Sequence, residues 1–94
     1  MDLLFEALRA LNDFDCTIVY QSNMRFNITI SNAVLSDIYL NKDGGVKVIE
    51  IYFYGHSVTI SEDDLESWNE DEDEIVVVLT DQSEICFYKQ ILAE

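Results

Sequence analysis

The sequence predicts an α+β fold. It reads as an N-terminal helix packed on an antiparallel sheet of about five to six strands, with a short acidic helix or loop late in the chain. Three observations lead there. Leu4, Ala7, Leu8 and Leu11 recur at helical spacing. From Cys16 the apolar period shortens to two, the rhythm of half-buried strands. Asn41-Lys42-Asp43-Gly44-Gly45 then sits between two such runs, and glycines accept the positive φ of a tight hairpin. A chain of 94 residues fits one domain with one core, spanning residues 1–94. Its 49% hydrophobic content is enough to fill that core.

The helix is expected over residues 2 to about 12. Asp2 suits its start, both as a cap and through the dipole. Glu6 and Arg9 lie one turn apart and can pair. Asn12 and Asp13 end the helix, because their side chains compete for backbone hydrogen bonds. Cys16, Ile18 and Tyr20 share one face of the first strand, and Gln21-Ser22-Asn23 turns the chain. Met24, Phe26, Ile28 and Ile30 share a face of the second, the cleanest half-buried pattern in the sequence. Ser31 and Asn32 read as another turn, with a third strand over residues 34–40.

After the glycine hairpin, residues 46–54 place Ile49, Ile51 and Phe53 on one face. Val48, Glu50, Tyr52 and Tyr54 lie on the other. Gly55 and His56 turn into the strand Val58-Thr59-Ile60. Ser61 and Asp64 fit a capping box, and Ile60 and Leu65 a hydrophobic staple. Leu65 and Trp68, three apart, would pin a short helix running from residue 62 to about 69. Residues 70–74 hold nothing apolar and read as loop. The β-branched run at residues 75–80 suits a strand buried on both faces, and Asp81-Gln82-Ser83-Glu84 returns it into a closing strand over residues 85–92. A small, strongly bent five-stranded barrel with a leading helix satisfies the same elements.

Composition limits the functional classes. A formal charge of −14 opposes binding to phosphate backbones and to anionic membrane surfaces. Cys16 and Cys86 lie in apolar stretches without ligand spacing, which suits buried thiols in a reducing compartment; a disulfide between the first and last strands stays open. No signal peptide and no apolar run of about 18 residues is read, so a cytoplasmic location is expected. His56 is the one histidine, in a turn, with no coupled nucleophile. There is no phosphate loop, no zinc spacing and no calcium-loop glycine after His56. A solvated run of carboxylates lacks the cleft that glycoside hydrolysis needs. No catalytic residue, metal or cofactor is assigned.

The remaining signal is placed charge. Nine of the 19 acidic residues fall within residues 62–74: Glu62, Asp63, Asp64, Glu66, Glu70, Asp71, Glu72, Asp73 and Glu74. Trp68 lies among them, and no Lys or Arg does. Such a surface suits a cationic partner, unless it only solubilises the chain or guards the apolar run that follows. A helical block would span about 20 Å, close to one charge per 2 Å, against about 1.7 Å in duplex DNA. An extended block would have less than half that density. Trp68, Tyr52 and Tyr54 could add aromatic anchors, or belong to the core and the sheet face.

In size, charge and element order the chain resembles the small acidic phage anti-CRISPR proteins that imitate DNA. The segment Asp2-Leu3-Leu4-Phe5-Glu6-Ala7-Leu8 is similar to their leading helix. Thr17-Ile18-Val19-Tyr20 and Asn41-Lys42-Asp43-Gly44-Gly45 are similar to their sheet, and residues 62–74 to their acidic surface. The likeness covers roughly the first 75 residues; a strand hairpin follows here where further helices would be expected. It implies a non-enzymatic inhibitor acting in a bacterial host cell. It would occupy the PAM-reading site of a CRISPR effector nuclease, a basic nucleic-acid-binding protein. Glu70, Asp71, Glu72, Asp73 and Glu74 would pair with its Arg and Lys, supported by Asp63, Asp64 and Glu66. The alternatives are an immunity protein for a basic toxin nuclease, or a small structural subunit that uses its sheet edge or tyrosine face.

Overall fold

The computed structural model describes residues 1–13, 15–22 and 27–90. Helix α1 (Asp2–Arg9) runs into a 3-10 turn (Ala10–Asp13). The strands that follow are β1 (Asp15–Gln21), β2 (Asn27–Asp43), β3 (Val46–Phe53) and β4 (His56–Ser61). A one-turn 3-10 helix (Glu62–Asp64) leads into β5 (Leu65–Glu70), then β6 (Glu74–Leu79) and β7 (Glu84–Gln90). Among the described residues these form one seven-stranded sheet of order β4-β3-β2-β1-β7-β6-β5, and every pairing is antiparallel. Two meanders, β1 to β4 and β5 to β7, are joined where β1 pairs with β7.

The sheet is rolled. Strands β4 and β5 are its opposite edges, yet only Glu62–Asp64 separates them. Four Cα steps reach at most about 14 Å. Seven strands laid flat would hold the edges about 29 Å apart, at about 4.8 Å per strand. The edges therefore come together at the Glu62–Asp64 corner, which the Thr80 N–H ties to the end of β6 by donating to the Asp64 carbonyl at 2.9 Å. Among the described residues no ladder joins β4 to β5, so the barrel alternative is not realised.

The helix fills the inside of the roll. Leu4, Leu8 and Leu11 are fully buried and Ala7 nearly so, as their spacing predicts. They pack with Cys16, Ile18, Ile49, Ile51, Phe53, Ile60, Ile75, Val77 and Phe87 in one contiguous core. Glu6 and Arg9 pair at 3.4 Å, and Arg9 also lies 5.7 Å from the Phe5 ring centre. Asp2 is not the cap: Met1 holds that position, and the Asp2 carboxylate binds Lys47 of β3 at 3.1 Å.

Four expectations change. The sheet has seven strands where about five to six were expected: the expected second and third strands are one long strand, β2, and the acidic segment supplies β5. Residues 62–69 are not a helix: a single 3-10 turn, capped by the Ser61 hydroxyl accepting from the Asp63 N–H at 3.3 Å, gives way to a strand. Leu65 pairs with Leu79 and Ser67 with Val78, so Glu66 is an extra residue, a β-bulge. The bulge puts Leu65 and Trp68 on one face at a spacing of three. Ser31 and Asn32 are not a turn either. They form a bulge in β2 opposite Thr17, with Asn32 at φ 57. Finally, β6 alternates buried and half-buried residues instead of being covered on both faces.

A second bulge in β2, at Ser36, lies between the pairs Leu35↔Phe53 and Asp37↔Tyr52. Ile28 and Ile30, then Ala33 and Leu35, then Ile38 and Leu40 thus take the inward phase in turn. Ile28 is still 48% exposed, so the outer half of that strand is less buried than its pattern suggested. Met24 and Phe26, and residues 91–92 of the closing strand, lie outside the described residues.

The hairpin at Gly44 (φ 60) and Gly45 (φ 87) joins Asp43 to Val46 as expected. The turn after β6 is held by the Ser83 N–H donating to Asp81 Oδ1 at 2.9 Å and by the Leu79 N–H donating to the Ser83 carbonyl at 2.8 Å. Ser83 keeps the Asp81 carboxyl below its ordinary pKa by side-chain and then backbone hydrogen bonding. Cys16 and Cys86 are buried cysteines on adjacent strands, not joined by a disulfide. They are three register positions apart, about 10 Å, and on opposite faces, so no disulfide can join them.

Two outcomes test this fold. Gln82 adopts φ 73, so Gln82→Gly should relieve about 1 kcal/mol of steric strain. Added unfolded-state entropy cancels part of it, leaving a gain of about 0.5 kcal/mol in urea unfolding. The Cys16 thiol is pushed up to about 11, first by burial and then by Asp15, with Lys89 opposing. A raised pKa favours the neutral thiol in the fold. Its contribution is complete below the ordinary value and is lost as the pH rises through about 11. Thiol labelling of the native protein at pH 8 should therefore be far slower than that of the unfolded chain.

Candidate functional site

The acidic segment is divided by β5. Glu62, Asp63 and Asp64 occupy the corner turn where the sheet edges meet, and all three are exposed. β5 is extended over about 20 Å and carries only Glu66 and Glu70. Asp71, Glu72, Asp73 and Glu74 follow at the hairpin into β6. The nine carboxylates thus form two anionic groups at the ends of an edge strand. The charge density is that of the extended case, well below that of duplex DNA.

The hairpin is the denser group, and its backbone is fixed. The Asp71 N–H donates to the Glu74 carbonyl at 2.8 Å, closing the turn. The Lys89 N–H donates to the Asp73 carbonyl at 2.7 Å, tying the turn to β7. The Lys89 ammonium, 11% exposed in its side chain, lies 3.7 Å from Glu70. Among the described residues this is the one ion pair made by the nine carboxylates. Glu70, Asp71, Glu72, Asp73 and Glu74 therefore project from an anchored tip with a large uncompensated charge.

Tyr88 completes this tip. It lines the same shallow depression as Asp71, Glu72, Asp73 and Glu74, and pairs across the ladder with Glu74. Its phenol is raised above its ordinary pKa, mainly by the neighbouring Cys86 and then by burial, with Glu74 and Glu84 adding to it. Neither Tyr88 nor Lys89 was singled out from the sequence. The signal was available: Lys89 is the only cation after Lys47, and it lies in the closing strand.

Trp68 is placed differently. It pairs with Val77 on the inward face and packs against the core together with Leu65. Its ring secures the edge strand, while the carboxylates on either side face solvent. Tyr52 and Tyr54 lie well exposed on and beside the outer face of β3. Among the described residues no group of His, Cys, Asp and Glu is arranged to hold a metal ion. No helix among them is long and apolar enough to cross a membrane. Comparison with known protein families, with curated proteins and with solved structures finds no match for this chain.

Consecutive carboxylates repel one another, so the tip should cost folding stability. Replacing Asp71, Glu72 and Asp73 by Asn, Gln and Asn should raise the melting temperature by a few degrees at low ionic strength. The difference should shrink toward zero near 1 M salt, where the Debye length is about 3 Å. An equal gain at both salt concentrations would point to a change in turn geometry instead of charge.

Proposed function

We propose that this chain is a non-enzymatic inhibitor that inserts its acidic tip into the basic nucleic-acid-binding surface of a CRISPR effector nuclease. The observation that carries this reading is the tip itself. Glu70, Asp71, Glu72, Asp73 and Glu74 are consecutive, and the turn that presents them is pinned by Lys89 and closed on itself. An anchored anionic projection loses little conformational entropy on binding. It engages Arg and Lys that otherwise hold phosphates.

The extended geometry changes the mechanism from the one a helical block would give. The surface does not reproduce the regular charge spacing of a duplex. Its field draws the partner in, and a few carboxylates at the hairpin compete for phosphate-binding cations. Glu62, Asp63 and Asp64, about 20 Å away along β5, add to the attraction without sharing the same contact. Inhibition should accordingly be fast in onset and sensitive to salt.

The test is DNA binding by a purified single-protein CRISPR nuclease. The wild type should displace target DNA at low salt, and the displacement should weaken as salt rises. The variant with Glu70, Asp71, Glu72, Asp73 and Glu74 replaced by Gln or Asn should lose about tenfold or more in potency. Equal potency of both proteins would remove the tip from the mechanism. No displacement by either would remove this class of target.

A further inference from the structure

The outer face of β2 and β3 carries a second surface, separate from the acidic tip. Tyr39 and Tyr52 lie diagonally across the strand pair, with ring centres 5.9 Å apart and planes at 68°. They are 47% and 40% exposed, in a face that no helix among the described residues covers. The register sets a carboxylate beside each ring: Asp37 is opposite Tyr52, and Glu50 is opposite Tyr39. Asn41 Nδ2 donates to Glu50 Oε1 at 3.0 Å, which orients that carboxylate. The Ser36 hydroxyl lies 3.4 Å from Asp37 Oδ2. Asp37, Tyr39, Asn41, Glu50 and Tyr52 line one open depression.

We propose that this depression receives an arginine side chain from a basic segment of a partner protein. Charge complementarity decides the occupant. Each carboxylate is the cross-strand neighbour of a tyrosine, and among the described residues neither is ion-paired within the chain. A cation that complements this pair of carboxylates would have to come from outside the chain. Two half-exposed rings inclined at 68° can offer a π face to a flat cation with the other ring as a side wall. A guanidinium is planar, stacks on such a face, and donates through a fork that reaches two acceptors at once. A lysine ammonium is a strongly hydrated point charge and gains less from the stacking.

The surface is independent of the proposed inhibitory tip, so each can fail alone. The test titrates the full chain with a short acetylated and amidated Gly-Arg-Gly peptide, followed by NMR of backbone amides and tyrosine rings. Peptides with lysine and with citrulline in place of arginine serve as comparisons. The arginine peptide should shift the signals of Tyr39, Tyr52, Asp37 and Glu50 together. Citrulline, neutral but of similar shape, should shift them little, and lysine should bind about two- to fivefold more weakly.

The D37N/E50Q double variant keeps the fold-determining inward face and should lose most of the shift. Tyr39→Leu should weaken binding by about two- to fivefold. The variant neutralised at residues 70–74 should bind the peptide at this face as wild type does. Shifts confined to the acidic tip, or equal shifts with citrulline, would overturn the proposal. So would wild-type affinity of D37N/E50Q.

Discussion

The rest of the structure depends on one short connection. Three residues, Glu62–Asp64, tie together the two outermost strands of a seven-stranded sheet. No flat sheet permits that link, so the strands must curl until the edges meet. Curling creates an inside, and the helix with Leu4, Leu8 and Leu11 fills it. Without the helix the rolled sheet would leave its inward face of Ile49, Ile51, Phe53, Ile75, Val77 and Phe87 unpacked. The link also fixes the acidic corner, because the residues that bridge the edges have no room to be anything but an exposed turn. At least part of the charge distribution is therefore a consequence of topology.

The roll needs bends, and bulges supply them. β2 carries two, at Ser31–Asn32 and at Ser36, and the edge strand β5 carries one at Glu66. Each bulge moves the inward phase by one residue. That is why the helix, the glycine hairpin and the inward face of β3 were legible in the sequence, while the extent of β2 and the nature of β5 were not. A strict period of two names a strand. A period of two with one slip resembles a turn, as at Ser31 and Asn32. A single spacing of three resembles a helix, as at Leu65 and Trp68. In both places a local pattern has two physical solutions, and the choice falls to cross-strand partners far away in sequence. Leu79 and Val77 make β5 a strand.

The candidate site was legible as a list of carboxylates but not as a shape. Exposure of Glu62, Asp63, Asp64, Glu66, Asp71, Glu72 and Asp73 follows from their charge alone. Whether they form a continuous rod or two separate groups depends on the backbone, and the extended backbone separates them. Tyr88 and Lys89 belong to the tip only because β7 lies beside β6, a long-range pairing. The aromatic face is the converse case. Asp37, Tyr39 and Asn41 alternate in the sequence, but the bulge at Ser36 decides that they share the outer face with Glu50 and Tyr52.

Under the two proposals, anionic surfaces of different construction would serve different parts of recognition. The tip is a concentration of charge with little shape. Its field reaches about a Debye length, roughly 8 Å at physiological salt, and attracts any cation without distinguishing lysine from arginine. The depression between Tyr39 and Tyr52 carries only two carboxylates and contributes little at a distance. At contact, as proposed, its rings and acceptors would favour the flat, forked guanidinium. A partner with basic residues over a broad face would be drawn by the first and selected by the second. Charge without shape gives rate, and shape with a little charge gives discrimination. The fold keeps the two apart by placing one on a hairpin at the sheet edge and the other on the outer face of β2 and β3.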